Sequence, residues 1–531
     1  MKTDDGRKRH CWECLRRCLV CDFTEPQCKR CVNSGTLCPG YGEKKPLRLN
    51  WMEPGRVKSK TRKKKGKKKG ETDSSKVVCT KEKDSYLPSP PKTKTGSKPK
   101  QTVFQERIIP RLALKTNEDA CCEAIDYFNT AMYPILSRSQ FKNHPGVYKI
   151  QPGHIKAGLS RPDFLRLDIV CVALNHRMNS SHDFTVQQSL APTYYHFRGL
   201  VLRSLHEAMI VERNATQNVN HLIAGILSLL LADAHHGASP HWRLHLKGIQ
   251  ELITLRGGLR AMSGPGVEPL LLCYAYITVL GDTTTPASEL IMSTSLLAEL
   301  DTILEDHGKE VYSFYPFPTP LFTAVVKINC LRARAAIRLL VTTHVEDLTT
   351  EAEELLIQIA SFSPEAWARS RCSSPSNTAK HGAESEDQKS DEKHWTLLGT
   401  LMQSAITIYC ISSLQSLSIL PRSPSLTICH TANRQLLHSL LQNVSEGNFL
   451  GTFVWPLVVL GVNAGNDAMT MRAFVRNALG PISRDQGSHV PLMARAMLER
   501  FWVSGKRNWD ECFERPCALA MQWTVNRANL R

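Results

Sequence analysis

The stretch that decides the fold of the N-terminal segment runs from Cys11 to Cys38 and reads CWECLRRCLVCDFTEPQCKRCVNSGTLC. It holds seven of the 18 cysteines of the chain. With Cys18 set aside, the other six follow the spacing C-x2-C-x6-C-x6-C-x2-C-x6-C. The cysteines outside this stretch show no repeated spacing, as is usual for buried small hydrophobic residues. The dense group is therefore the candidate for metal or redox chemistry.

A shared metal site explains this spacing best. A C-x2-C pair brings two thiolates to one ion from a single tight turn, and Zn²⁺ prefers four such ligands in a tetrahedron. Six thiolates satisfy two zinc ions only if two sulfurs bridge both ions. One zinc ion with four ligands is an open alternative, because Cys18 and Cys21 form a third C-x2-C pair. Zinc would supply the folding free energy of so short a segment, so we expect chelation to unfold it.

A disulfide knot is the other alternative for these cysteines. Residues 1–10 are charged and polar, and no apolar core of the signal-peptide type follows them. We therefore expect the chain to begin in a reducing compartment, where disulfides are rare. Two apolar stretches, 222–232 and 449–462, are shorter than the roughly 20 residues of a spanning helix, so we predict no membrane segment.

The block from Cys11 to Tyr41 resembles the fungal zinc binuclear cluster (Zn2Cys6) family. The likeness rests on the cysteine spacing and on single residues between and after the cysteines, namely Asp22, Pro26, Gly35, Gly40 and Tyr41. The resemblance implies two zinc ions bridged by Cys11 and Cys28. It implies two further ligands for each ion, Cys14 and Cys21 for one and Cys31 and Cys38 for the other. Two short helices related by a pseudo-twofold would flank a turn shaped by Pro26.

In that family, basic residues between the second and third cysteines contact double-stranded DNA. This chain has only Arg16 and Arg17 there, and it carries Cys18 and Val20 where relatives usually have lysine or arginine. The position of Cys18 is the one that reads the CGG triplet in the family. Arginine and lysine recognise the paired acceptors O6 and N7 of guanine, which a thiol cannot do. Cys18 is either a spare thiol or a redox-sensitive position.

The predicted DNA contacts are basic side chains in and before the cysteine block. For each of them the alternative is a solvated side chain, because phosphate contacts outnumber base contacts and carry no sequence information. The predicted set is Arg7, Lys8, Arg9, Arg16, Arg17, Lys29 and Arg30.

The net charge of +18 lies almost entirely at the N-terminal end. Residues 1–100 carry 28 Lys and Arg against 11 Asp and Glu, whereas residues 101–531 carry 39 against 38. A basic arm on a neutral body is typical of a protein that binds a polyanion. Residues 45–70 alone hold twelve basic side chains against Glu53. We predict that this basic tail supplies most of the attraction to phosphates.

The densest part of the basic tail also predicts nuclear import, because import receptors recognise runs of this kind. A merely solvated arm is the alternative, and a membrane-surface role is disfavoured because no apolar face accompanies the lysines. The predicted localisation signal is Arg62, Lys63, Lys64, Lys65, Lys67, Lys68 and Lys69. The rest of 45–101 is rich in Ser, Pro, Thr and Lys and is predicted to be a disordered linker without a sustained heptad repeat.

Residues 102–531 are predicted to form one large all-α domain, so the fold class is mainly α with a small two-helix zinc cluster at 1–44. The clearest helix begins at Ser239-Pro240, places Trp242, Leu246, Ile249, Leu252 and Ile253 on one face, and ends at Gly257-Gly258. Further helical runs are predicted at 221–234, 320–342, 351–360, 395–415, 430–443 and 489–503. A Ser- and acid-rich loop at about 370–393 is predicted to be disordered.

The body resembles, over roughly 120–510, the fungal-specific transcription factor domain of the acriflavine-sensitivity-control-like subtype. The likeness rests on short apolar and glycine motifs, namely Leu229-Leu230-Leu231, Trp242-Arg243-Leu244-His245-Leu246, Arg256-Gly257-Gly258 and Trp455-Pro456-Leu457 with Gly461. It implies regulation of RNA polymerase II transcription in the nucleus. It also implies partners such as a second copy of the chain, transcription machinery or a small-molecule effector.

Two other functions are weighed against a sequence-specific transcription factor. The first is a partner-dependent regulator with little base specificity of its own, which Cys18 and Val20 motivate. The second is an enzyme. His235, His236, His241 and His245 are close in sequence, but they lack the glutamate that metalloprotease chemistry needs, and packed helix histidines are the simpler interpretation. No phosphate-binding loop, nucleophile elbow or dinucleotide-binding pattern is present, so we predict that the chain is not an enzyme.

Overall fold

The structure of the 531-residue chain is a computed structural model. It divides into two compact units, Met1–Ser97 and Lys98–Arg531, and each is described by itself. The described residues are 11, 14, 21–34, 38, 40, 116–136, 149–181, 183–212, 219–237, 242–262, 268–291, 300, 317–338, 348–372, 386–445, 453–465, 469–517 and 519.

Helices make up the regular structure of the described residues, which contain no strand, so the prediction of a mainly α fold is confirmed. The first unit holds α1 (Lys29–Asn33). The first half of the second unit holds α2 (Asn117–Tyr127), a π-helical turn (Phe128–Met132), α3 (Tyr133–Leu136), α4 (Pro152–Leu159), α5 (Asp163–Arg166), α6 (Asp168–Ser180), α7 (Phe184–Glu212), α8 (Val219–His236), α9 (Trp242–Leu255) and α10 (Glu268–Thr283). Its second half holds α11 (Thr319–Arg338), α12 (Thr349–Ser361), α13 (Pro364–Cys372), α14 (Glu386–Ser416), α15 (Pro424–Ser445), α16 (Val454–Val462), α17 (Met469–Gln486), α18 (Val490–Ser504) and α19 (Trp509–Cys512), and short 3₁₀ turns lie at Leu259–Ala261 and Ala287–Glu289.

Helix α9 shows how the sequence pattern becomes structure. Trp242, Leu246, Ile249 and Ile253 are buried along one face, as their spacing predicts. The helix ends at Leu255, and Gly258 follows with a φ of 91° while its N–H donates to the carbonyl of Ile253 at 3.0 Å. This is the glycine stop expected from the sequence. The predicted start at 239–240 lies outside the described residues.

The core of the second unit forms around two central helices. In the first half, α6 packs against α2, α7, α8 and α17, and in the second half α14 packs against α11, α12, α13, α15 and α16. The other predicted helical runs overlap α8, α11, α12, α14, α15 and α18, although the end of the 320–342 run lies outside the described residues.

The predicted loop at 370–393 is too wide at both ends. Helix α13 extends to Cys372, and α14 already begins at Glu386. The residues between the two helices lie outside the described part of the chain.

One helical segment, Lys389–Ser416 within α14, is long and apolar enough to cross a membrane by length and composition alone. However, 78% of its apolar window is buried inside the protein. Tyr409 and Cys410, for example, are fully buried. The burial explains the apolar composition, because a central core helix needs apolar residues on most of its surface.

A buried arginine ties the C-terminal end to this core. Arg332 of α11 is 0% exposed and donates to the carbonyls of Asp282 and Thr285 at 3.0 and 2.8 Å. It also donates to the Tyr409 hydroxyl at 2.9 Å and to the Asp510 carboxylate of α19 at 2.9 Å. A buried charge is tolerated only with such partners. The hydrogen bonds of this guanidinium therefore connect α10, α11, α14 and α19 inside the core.

Two buried histidines lie where α6, α8 and the turn between α17 and α18 meet. His176 and His235 are 3% and 0% exposed. The Tyr127 hydroxyl of α2 lies 3.0 Å from Nδ1 of His176, and the His489 N–H donates to the carbonyl of His235 at 2.8 Å. Gly487 approaches so closely that an added Cβ would lie 2.5 Å from the Cα of His176. The two halves of the unit are thus in close backbone contact at this joint.

Candidate metal centre and DNA-contacting surface

Six cysteine sulfurs of the N-terminal unit lie together in two overlapping groups. Within each group, all four sulfurs lie within 4.8 Å of one another, a geometry that could hold a metal ion. The first group is Cys11, Cys14, Cys21 and Cys28, and the second is Cys11, Cys28, Cys31 and Cys38. Cys11 and Cys28 belong to both groups, and their sulfurs are 3.5 Å apart. Two four-sulfur groups with two common members are the arrangement that six ligands need to hold two ions.

The backbone around the sulfurs repeats with an offset of 17 residues. The Cys14 N–H points to the sulfur of Cys11 at 3.4 Å, and the Cys31 N–H points to the sulfur of Cys28 at 3.3 Å. Likewise, the N–H of Cys11 points to the sulfur of Cys21 at 3.5 Å, and that of Cys28 to the sulfur of Cys38 at 3.3 Å. The two C-x2-C-x6-C halves therefore hold their sulfurs in the same way, each through the N–H groups of its first and second cysteines. Such N–H groups stabilise thiolates.

Helix α1 is built directly on this framework. Cys28 is its N-cap, with its side chain accepting from the Cys31 N–H. The Asp22 carboxylate accepts from the N–H of Thr24 and of Arg30, both at 3.2 Å. Slight burial raises the pKa of Asp22, but these N–H groups outweigh it and hold the pKa below its usual value. Asp22 therefore anchors the loop to the first turn of the helix, where a negative charge is favourable.

Among the described residues of this unit, the thiols form the core almost by themselves. The six cysteines are 0–7% exposed, and Phe23 is the partly buried hydrophobic side chain packed against them in the described residues. Burial raises the pKa of Cys11 and raises that of Cys31 to about 12, so without a cation these thiols would be protonated at neutral pH. At Cys38 burial also raises the pKa, but N–H groups, that of Cys28 first, outweigh it and lower the pKa.

This donor set fits a thiolate-binding metal. In the described part of the unit, Phe23 is the apolar side chain packed against the cysteines, and a divalent ion would compensate the charge of the gathered thiolates. The six cysteines are not joined by disulfide bonds, since sulfurs 3.5 Å apart are well beyond the roughly 2.05 Å of such a bond. Cys18, on which the third C-x2-C pair depends, lies outside the described residues.

The DNA contacts predicted from the sequence are described only in part. Lys29 and Arg30 lie exposed on the first turn of α1, where they line a shallow surface depression with Asn33. These two exposed cations lie at a helix start beside the cysteine core. The other predicted contacts, Arg7, Lys8, Arg9, Arg16 and Arg17, lie outside the described residues, as does the basic run from Arg62 to Lys69.

The histidines considered as a metal site are not among the groups of ligating side chains that the described residues bring together. His235 is fully buried, whereas His245 lies on α9 with its Nε2 3.8 Å from the Asp233 carboxylate. His241 lies outside the described residues. In the described part of the chain, the groups of ligating side chains that could hold a metal ion consist of the N-terminal cysteines. The interpretation of these histidines as packed helix residues is the better one.

Comparison with known proteins identifies the large helical unit. Residues 122–527 match the family model of the fungal specific transcription factor domain. The chain belongs to this family. One relative, the phomenoic acid biosynthesis cluster-specific transcriptional regulator of Leptosphaeria maculans, is 35% identical over 532 residues, which cover 98% of this chain and 91% of that protein. No solved structure matches the chain.

The chain is thus a transcription regulator, and the helical unit is its fungal-specific transcription factor domain. Several motif residues of this domain are packing residues, although Leu244 of the same motifs is 65% exposed. An added Cβ on Gly281 would lie 2.6 Å from the ring of Trp242, and one on Gly461 would lie 2.6 Å from Leu498. Trp455 is 3% exposed. Trp242, Trp455 and Gly461 therefore help to specify how the helices pack.

Sequence reasoning missed two contacts of the cysteine unit that the structure shows to be important. Phe23, with a φ of 61°, packs against the cysteines, and the carboxylate of Asp22 reaches the start of α1. The position of Asp22 after the third cysteine is visible in the sequence, but its contact to Arg30 spans eight residues. A single aromatic residue between Cys21 and Cys28 was the available signal for Phe23.

Proposed function

We propose that this transcription regulator is a zinc-dependent, sequence-specific DNA-binding protein of the Zn2Cys6 type that acts in the nucleus on RNA polymerase II genes. The observation that carries the proposal is the pair of four-sulfur groups that have Cys11 and Cys28 in common. Cys14 and Cys21 would complete the ligands of one ion, and Cys31 and Cys38 those of the other. Bound zinc would supply structure rather than reaction chemistry, by neutralising the thiolates and fixing the two halves of the unit.

The DNA-binding part of the proposal assigns two roles to the basic residues. Arg16 and Arg17, with Lys29 and Arg30, would position the cluster on the duplex, and Arg7 to Arg9 would contact phosphates. The basic tail at 45–70 would provide most of the salt-dependent attraction and would also direct nuclear import. The exposed position of Lys29 and Arg30 beside the cysteine core supports this assignment.

The genes that the protein controls are proposed from its relative. The Leptosphaeria maculans protein is named as a regulator specific to one biosynthesis cluster, and the similarity extends over nearly the whole of both chains. We infer that this chain likewise controls the genes of a biosynthetic cluster. The finer assignment to the acriflavine-sensitivity-control-like subtype stays part of the proposal.

The zinc content of the purified full-length chain tests the metal centre. We expect two zinc ions per chain by elemental analysis. Cys28→Ser removes a sulfur common to both groups and should lower the content below one ion. A matched control, Cys122→Ser, replaces an exposed cysteine outside the unit and should leave two ions. One ion per chain in the unmodified protein would overturn the bridged arrangement.

A second function is favoured by Cys18 and Val20, which stand where the family reads bases. In this alternative the chain is a partner-dependent regulator that holds phosphates without selecting a sequence. Selection of binding sites by the full-length protein from a random duplex pool separates the two functions. A recovered motif that disappears in the Arg16→Ala, Arg17→Ala double variant supports base reading. Binding without any enriched motif supports the alternative, and Lys156→Ala, on exposed α4, controls for loss of charge alone.

A further inference from the structure

Helix α1 turns one face toward the cysteines and the opposite face toward solvent. Cys31, in the middle of this five-residue helix, is 2% exposed. Successive residues of a helix are about 100° apart, so the direction opposite Cys31 lies between Lys29 and Asn33. Val32 and Arg30 lie on either side of that pair. All four side chains are exposed, Val32 to 55%. The outward face of α1 therefore carries two cations, one amide and one apolar side chain.

The amide and the apolar side chain match the major-groove edge of an A·T base pair. An asparagine amide forms two hydrogen bonds with adenine, because its oxygen accepts from N6 and its NH₂ group donates to N7. An apolar side chain contacts the C5-methyl group of thymine, which the same base pair presents in the same groove. Asn33 and Val32 are neighbours in the chain. They therefore combine the two contacts that distinguish A·T from G·C.

The Asn33 side chain is available to a ligand. It lines the shallow surface depression that Lys29 and Arg30 also border. In the described part of the chain, no hydrogen bond holds its amide, whereas the neighbouring Ser34 hydroxyl donates to the carbonyl of Cys31 at 3.0 Å. The fold of the cysteine unit therefore does not use the amide of Asn33.

The charges beside this face favour a helix that lies between phosphates. Lys29 and Arg30 are the first two residues of α1, whereas Trp12 and Glu13 stand 17 positions earlier, in the first half of the repeat. Among the described residues that line the depression, Asp22 is the acidic one, and both of its oxygens accept backbone N–H groups. By charge, the second half of the unit is therefore better suited than the first to place a helix start against DNA.

We propose that the outward face of α1 enters the major groove and reads an A·T base pair through Asn33 and Val32, with Lys29 and Arg30 on the flanking phosphates. This inference rests on the proposed DNA-binding function and adds base recognition by the second half of the cysteine unit. A major groove about 12 Å wide admits an α-helix. Five helical residues span about 7.5 Å, so α1 covers about two base pairs.

Selection of binding sites by the full-length protein from a random duplex pool, at about 0.15 M salt, tests the role of Asn33. The unmodified chain should enrich sites with a fixed A·T position. Asn33→Ala should lower the discrimination against other bases at that position by about 5- to 150-fold. Asn33→Arg should change the preferred pair there to G·C, because a guanidinium donates to O6 and N7 of guanine. A variant that merely folds poorly would not exchange one base for another.

The role of Val32 is tested through the thymine methyl group. A duplex with uracil in place of thymine at the selected position lacks that methyl group. It should bind the unmodified chain about fourfold more weakly, the effect of about one buried methyl group. Val32→Ala should bind the two duplexes equally. A fourfold difference that persists in Val32→Ala would remove Val32 from the proposal.

The matched control is Asn477→Ala, which changes an exposed asparagine of α17 in the other unit and should leave the selected sites unchanged. The zinc content should be the same in all variants. A recovered motif that Asn33→Ala and Asn33→Arg leave unchanged would overturn this inference, while the proposed zinc-dependent, sequence-specific function would stand. Binding without any enriched motif would overturn both, since neither half of the unit would then read bases.

Discussion

Acid should destabilise the helical domain through the buried histidine joint. Burial lowers the pKa of His176 to about 4 and lowers that of His235 well below its usual value. An unfolded histidine has a pKa near 6.5, so the unfolded chain binds more protons than the folded chain as the pH falls below about 6.5. The contribution of neutral His176 is therefore fully present above that pH and is lost as the pH falls toward 4.

The size of this effect follows from the two pKa values. At pH 4.5, protonation of His176 alone should lower the free energy of unfolding by about 2.5 kcal/mol relative to neutral pH. The loss reaches about 3.4 kcal/mol at a pH low enough to protonate His176 in both the folded and the unfolded chain. Carboxylates also titrate in this range, so the decisive quantity is a difference between variants. His176→Gln removes the titrating group, whereas His154→Gln changes an exposed histidine on α4. The first should flatten the dependence of stability on pH, and the second should leave it unchanged.

Urea unfolding followed by far-UV circular dichroism at fixed pH values from 7 to 4.5 measures the dependence. The folded His176 ring faces the Tyr127 hydroxyl, the Ser180 hydroxyl at 3.4 Å and His235, with no carboxylate side chain among these groups to offset a positive charge. If His176→Gln loses stability between pH 6.5 and 4.5 as steeply as the unmodified chain, the assignment of this acid sensitivity to His176 is refuted.

Three further predictions concern the core and the basic tail. Arg332→Met should cost about 3–5 kcal/mol in urea unfolding, because it removes the donor of two carbonyls and leaves the Asp510 carboxylate without its cation, with only the Ala287 N–H remaining; a loss under about 1 kcal/mol would contradict this. Gly461→Ala should lower the free energy of unfolding by about 1–3 kcal/mol, since its Cβ would lie 2.6 Å from buried Leu498. An unchanged urea midpoint would show that the helices move apart to admit the methyl group without a cost in stability. Deleting residues 45–70 should weaken DNA binding at every sequence and flatten the plot of log affinity against log salt, by about 0.9 for each phosphate that the tail neutralises. An unchanged slope would exclude the basic tail as the source of phosphate attraction.

The cysteine group was the most predictable part of the molecule, because its members lie within 28 residues and their spacing limits how they can meet. The structure brings together the same six sulfurs that the spacing indicated. The contact from Asp22 to the start of α1 could not be read from spacing, since it depends on the path of the loop. Which bases the proposed cluster would read is also beyond the spacing, because base recognition depends on single side chains rather than on the positions of the cysteines.

In the helical domain, periodicity predicted helices but not what they touch. The apolar stripe of α9 is buried as expected, whereas Arg332 has the sequence context of an ordinary helix-surface arginine and is fully buried. Two residues along, Arg334 makes an exposed ion pair with Glu351. Sequence does not distinguish these arginines, because the difference lies in the acceptors that distant helices supply. The predicted loop at 370–393 is too wide for a similar reason, since polar turns at a helix end have the composition of a loop.

Helix α7 escaped the sequence prediction for a more informative reason. It contains Pro192, which usually marks a break, and it has apolar residues on both its buried and its exposed faces. A hydrophobic period is clear only when the apolar residues of a helix lie on one face. Because α7 has apolar residues on two faces, its sequence shows no clear helical period.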